Sequence, residues 1–158
     1  MKGTVPAALS RLPGFAIAQA YRMQRHAMDD ALRDLGLTTP QWGTLACLGQ
    51  MEGVSGADMA RIHHLTPQTM HTILHNLEDD GLIVRDPHPK HGTVLLVRLT
   101  ELGQERLAEA TRRVEAIQEQ MVSDLSDEER ALLVELLGRC TQTLASSGAI
   151  KPDGFCPE

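Results

Sequence analysis

Between Leu65 and Gly103 the chain reads LTPQTMHTILHNLEDDGLIVRDPHPKHGTVLLVRLTELG, and few folds accommodate that order of signals. Thr66 is a good helix N-cap, and Pro67 stands at the first helical position, where its missing N–H costs nothing and its φ is preset. At about 100° per residue, Met70, Ile73, Leu74 and Leu77 form one apolar stripe. Gln68, Thr72 and His75 face the opposite way, flanked by Thr69, Asn76 and His71. Glu78, Asp79 and Asp80 close the helix, and Gly81 suits its left-handed C′ position. Two β-rich runs follow, Leu82-Ile83-Val84 and Val94-Leu95-Leu96-Val97, around a tip holding Pro87, Pro89 and Gly92. Thr100 and Glu101 then cap and charge the start of another helix. A helix followed by a hairpin and a new helix predicts a winged helix-turn-helix, the hairpin being the wing.

The preceding sequence supplies the missing helices. Pro13 to Leu35 reads as one helix, with Ile17, Tyr21, Met28, Leu32 and Leu35 near helical spacing and Gly36 ending it. Thr39 is read as the cap of a second helix, with Pro40 first and Trp42, Leu45, Ala46 and Leu48 on its buried side, running to about Met51. Ser55 and Asp58 resemble a capping box for a short third helix that offers Met59 and Ile62 to the core.

Beyond the wing, Leu107, Ala110, Val114, Ile117 and Met121 step by three and four, a heptad-like seam that requires a partner. Ser126 and Glu129 form a capping box for a last helix with Leu132, Leu133, Leu136, Leu137, Cys140 and Leu144 on one face. The expected fold class is therefore mainly α, a winged helix-turn-helix over 38–99. Residues 1–37 and 100–146 would form a helical dimerisation region built from both chain ends, with 147–158 a flexible tail. Packing of the same stripes within one chain is the alternative.

Composition bounds the function. With 42% hydrophobic residues but only 3% aromatic, the core is expected to be helices packed through Leu, Ala, Met and Val. No segment reaches the eighteen or so apolar residues of a membrane span, and no leader is evident, so a cytoplasmic location is expected. Cys47, Cys140 and Cys156 have neither metal nor disulfide spacing. Nothing pairs a nucleophile with a base or forms a phosphate loop, so an enzyme is not expected, nor is a cofactor.

Charge is the awkward quantity. The formal net charge is −6, and from Thr66 to Arg98 only Arg85, Lys90 and Arg98 stand against Glu78, Asp79, Asp80 and Asp86. Phosphate neutralisation normally supplies much of DNA affinity, so weak non-specific binding and a modest salt slope are expected. A symmetric dimer doubles the available cations and sets two reading helices about one DNA turn, ~34 Å, apart.

With these residues in place, the chain resembles the multiple antibiotic resistance regulator (MarR) family of bacterial winged-helix repressors over roughly residues 12–145. The resemblance is carried by Leu37-Thr38-Thr39-Pro40-Gln41-Trp42, Leu65-Thr66-Pro67-Gln68-Thr69, Leu77-Glu78-Asp79-Asp80-Gly81-Leu82 and Val97-Arg98-Leu99-Thr100-Glu101-Leu102-Gly103. It implies a homodimer on a palindromic double-stranded DNA site, released by a small, often aromatic and anionic ligand bound between the two domains. It also implies that the helices bearing Tyr21, His26 and Trp42 line the ligand pocket. The wing departs from the family, which commonly carries an Asp-Arg pair where this chain has His91-Gly92. Lys90 and the nearby histidines are the substitutes on offer, and lysine is the poorer minor-groove probe.

The DNA-contacting set expected is thus Thr66, Gln68, Thr69, Thr72, His75, Asn76, Lys90, His91 and Arg61, with Gln68 as the base reader because a carboxamide pairs bidentately with adenine. Six of the seven histidines fall between residues 63 and 91. His71 and His75 have the spacing of a metal pair, but no third ligand accompanies them, so polar residues facing DNA or solvent are the better reading. A metal- or thiol-responsive regulator and a winged helix that binds protein are the competing functions.

Overall fold

A computed structural model describes residues 7–51, 53–88 and 91–147, with residue 7 and residues 91–94 described through the backbone alone. In order, the elements are α1 (Ala7–Ser10), α2 (Pro13–Leu32), a 3-10 turn (Arg33–Leu35), α3 (Thr39–Gln50), β1 (Val54–Ser55), α4 (Gly56–Ile62), α5 (Pro67–Asp79), β2 (Ile83–His88), β3 (His91–Leu99), α6 (Glu101–Met121) and α7 (Asp127–Ser146). The three strands form one antiparallel sheet in the order β1-β3-β2, with Val54 opposite Val97 and Ile83 opposite Leu99. Helices α3, α4 and α5 with the β2–β3 hairpin are the winged helix-turn-helix that the sequence predicts. Among the described residues no helix is long and apolar enough to cross a membrane.

Local chemistry explains the reading helix. Thr66 caps α5 by accepting the Thr69 amide at 3.1 Å, Pro67 takes the first helical position, and Gly81 ends the turn at φ +69°. Met70, Ile73, Leu74 and Leu77 are all buried. At about 1.5–3 kcal/mol each, that stripe contributes roughly 6–12 kcal/mol of gross burial, enough to fix which face of α5 points outward.

The cap of α3 is Thr38, not Thr39. Thr38 and Gln41 form the capping box, while the Thr39 amide and hydroxyl both donate to Asp29 of α2, at 2.9 and 2.6 Å. Burial opposes ionisation of Asp29, yet these two bonds and the Arg25 charge hold its carboxyl below the ordinary range. The clasp joins the first long helix to the reading head. Three other expectations change. Leu35 lies in the 3-10 turn rather than in α2. Ile62 is exposed and Ala60 takes its place in the core. Pro87 lies inside β2, tolerated because that strand is at the sheet edge, with a register shift between Pro87 and His88.

The seam on α6 packs within the chain. Ala110 and Val114 are fully buried in the same core as Met28 and Leu32 of α2, with Leu107 and Ile117 against it, while Met121 is exposed. The apolar faces left uncovered are elsewhere. On α7, Leu132, Leu133, Leu136, Leu137 and Leu144 are 37–54% exposed, and Leu9, Leu12, Ile17 and Tyr21 on α1, its connector and α2 are exposed as well.

Candidate nucleic-acid interface

The outward face of α5 is set by the four buried residues beneath it. Gln68, His71, Thr72, His75, Asn76 and Asp79 are exposed, and among them only Asp79 carries a fixed charge. Thr72 returns its hydroxyl to the Gln68 carbonyl at 3.1 Å. Thr66 and Thr69 are half-buried, their hydroxyls 2.8 Å apart within the cap. The DNA candidates therefore divide: Gln68 and Asn76 present free-standing amides at the surface, whereas Thr66 and Thr69 shape the helix start.

The arginines do not stand ready for phosphate. Arg61 pairs with Asp58 on α4. Arg98 Nε lies 2.5 Å from Asp86 across the hairpin. Arg85 Nε lies 3.1 Å from Glu78. Sequence counting treated Arg85 as a surface cation, but its side chain is only 15% exposed, because it shares the inward face of β2 with Ile83. The period-two alternation from Ile83 was the available signal. The Glu78 contact lacks hydrogen-bond alignment, so Arg85 Nε and Nη2 are buried without a hydrogen-bond partner. Beside them opens a cavity of about 430 Å³ between α4, α5 and the hairpin, bordered by His71, Leu74, Leu95 and Val97.

His71 and His75 stack with ring centroids 6.4 Å apart and planes 15° from parallel, and His75 Nε2 lies 3.4 Å from Asp79. Among the described residues no three His, Cys, Asp or Glu side chains gather as a metal cluster. His63 closes α4 with its ring against Gly43 of α3, and its Nε2 is buried without a partner. Burial, and then the neighbouring His64 charge, push the His63 imidazole below its ordinary value. Lys90 lies outside the described residues, and His91 is described only through its backbone, where it pairs with His88.

The expected ligand residues occupy separate environments. Tyr21 is exposed on α2, and His26 is exposed with Nε2 3.7 Å from Asp30. Trp42 is half-buried, its indole N–H donating to Thr111 of α6 at 3.3 Å. Cys47 is half-buried against the core, Cys140 is exposed on α7, and Cys156 lies outside the described residues.

Comparison with known proteins places this geometry in a population. A model of the MarR family matches residues 35–92. The HTH-type transcriptional repressor Rv2887 of Mycobacterium tuberculosis is 33% identical over 113 residues, 72% of this chain and 81% of that protein. The crystal structure of Rv2887 in complex with DNA superposes with a TM-score of 0.68 at 28% identity, covering 82% of this chain and 97% of that one. CouR from Rhodococcus jostii, bound to p-coumaroyl-CoA, superposes with a TM-score of 0.76 at 26% identity over 89% of this chain and 96% of that one.

Proposed function

This chain belongs to the MarR family, and from that premise we propose that it is a homodimeric transcriptional repressor that binds double-stranded DNA with α5 in the major groove. The observation that carries the reading is the outward face of α5, polar and hydrogen-bonding on a helix whose opposite face is wholly buried. Gln68 reads base edges, with Thr72, His75 and Asn76 beside it, Thr66 and Thr69 at the groove entry, and Arg61, Lys90 and His91 towards the backbone. The protein works by binding rather than by catalysis, in the cytoplasm.

Dimerisation falls to the exposed apolar faces of α1, α2 and α7 in residues 1–37 and 100–146, since the α6 seam is already spent inside the chain. The reading head is 38–99. A small aromatic acid is the releasing ligand, in keeping with the salicylic acid complex of the M. tuberculosis relative Rv2887. Tyr21, His26 and Trp42 are the contacts implied by the family, and the cavity bordered by Arg85, whose Nη2 is buried without a hydrogen-bond partner, adds a second site for a ligand carboxylate.

Selection of bound duplexes from a random pool with the full chain tests the function. Enrichment of a palindrome with half-sites about 10 base pairs apart, and its loss on adding salicylate, is the expected result. Failure to enrich any sequence would transfer the α5 face to a protein partner.

A further inference from the structure

We propose that DNA binding by this chain is coupled to proton uptake, with the imidazoles of His71 and His75 supplying the positive charge that its arginines withhold. The inference rests on the reading that α5 enters the DNA groove, and it goes further by assigning a regulating variable to that face.

Residues 38–99 hold four basic and six acidic residues, so the reading head is a net anion while its histidines are neutral. All three of its arginines are held by carboxylates of the same unit, Asp58, Glu78 and Asp86. A phosphate approaching such a pair meets the carboxylate as well as the guanidinium, which reduces the electrostatic gain. Protonating His71 and His75 cancels the deficit of two. Both are exposed, one turn apart on α5, and beside Gln68, Thr72 and Asn76.

The surroundings bear on the sign. On the same helix the Asp79 carboxylate lies 3.4 Å from His75 Nε2. Glu78 is occupied by Arg85, which borders the same cavity as His71. His71 and His75 face each other as stacked rings. Helix α3, packed behind α5, carries no charged residue. From α4 comes the Asp58–Arg61 pair, and from β2 Asp86 paired with Arg98, both internally balanced. A DNA phosphate tips the balance, because an anion brought beside either ring stabilises only its protonated form.

Coupling of this kind has a fixed signature. If bound DNA favours the protonated form of each imidazole about tenfold, two such residues give on the order of 30-fold tighter binding at pH 6 than at pH 8. Carboxylates titrate too low, and lysine and arginine too high, to imitate it over that window.

The experiment is fluorescence-anisotropy titration of a duplex recovered by selection, and of a random-sequence duplex, with the full chain between pH 8 and pH 6 at fixed salt. Wild-type affinity for both should rise by tens of fold, and the His71→Gln/His75→Gln double variant, compared with its own affinity at pH 8, should lose most of the rise. His26→Gln, on α2 outside the reading head, should keep the wild-type slope. Circular dichroism at each pH shows whether every variant is folded. A flat wild-type profile with sequence-specific binding intact overturns the proton coupling and leaves the repressor reading standing. A steep profile unchanged in the double variant overturns the assignment to His71 and His75. Absence of DNA binding at every pH overturns both.

Discussion

Replacing Gly103 by alanine should uncouple the wing from the long helix behind it. Gly103 sits in the first turn of α6, its amide donating to the Thr100 hydroxyl at 2.9 Å. A Cβ there would lie 2.0 Å from the Leu82 carbonyl oxygen and 3.0 Å from its carbon, both backbone atoms. No rotamer change relieves that, so α6 and the Gly81-Leu82 turn must part by about 1 Å. The parting strains two bonds that cross the joint, Thr100 N–H to Leu82 O at 3.1 Å and Thr100 Oγ1 to Gly81 O at 2.7 Å. Loss of those bonds, with a buried carbonyl left unmatched, costs about 3–5 kcal/mol. The helix preference of alanine over glycine returns about 1 kcal/mol. The net destabilisation is ~2–4 kcal/mol, a fall in melting temperature of roughly 10 °C for a chain of this size. Because β2 starts at this joint, operator affinity should fall as well. Calorimetry and DNA titration of Gly103→Ala read both quantities. A variant with wild-type melting temperature and wild-type affinity would refute the close-approach argument.

Three other perturbations separate parts of the account. Val114→Asp puts an unpaired charge into a site 2% exposed and should unfold the chain, seen by circular dichroism, whereas Leu133→Glu/Leu137→Glu on the open face of α7 should leave it folded but monomeric by light scattering. The folded-state pKa of His63 is depressed, so full stability should hold above the unfolded value of about 6.5 and be lost as pH falls through the folded value; His63→Gln should flatten that acid limb in thermal melts. Asp86→Asn frees Arg98 on the wing and should tighten binding to all DNA sequences, steepening the salt dependence by about one unit of slope, measured on a random-sequence duplex.

Much of the fold was legible because its signals are local. The Thr66-Pro67 start, the Met70–Leu77 stripe and the Gly81 stop all act within a few residues, and they appear as read. What was not legible depends on distant partners. Thr39 looks like a cap until Asp29, ten residues earlier, takes its amide and hydroxyl. The α6 seam demands a partner without saying whose, and Met28 and Leu32 answer from the same chain. Strand β1 spans only two residues, too short for periodicity to reveal. For the site, which residues line the α5 face follows from helical geometry alone. That each arginine is already paired could not be read, since those contacts depend on side-chain geometry that charge counting ignores.

The central claim is that the polar face of α5 reads bases. It is tested most directly by scanning every base pair of the selected duplex with wild-type protein and with Gln68→Ala. Wild type should discriminate at one position per half-site by ~1–3 kcal/mol, and the variant should lose discrimination there while retaining it elsewhere. An identical specificity profile for the two proteins would contradict the placement of α5 in the groove.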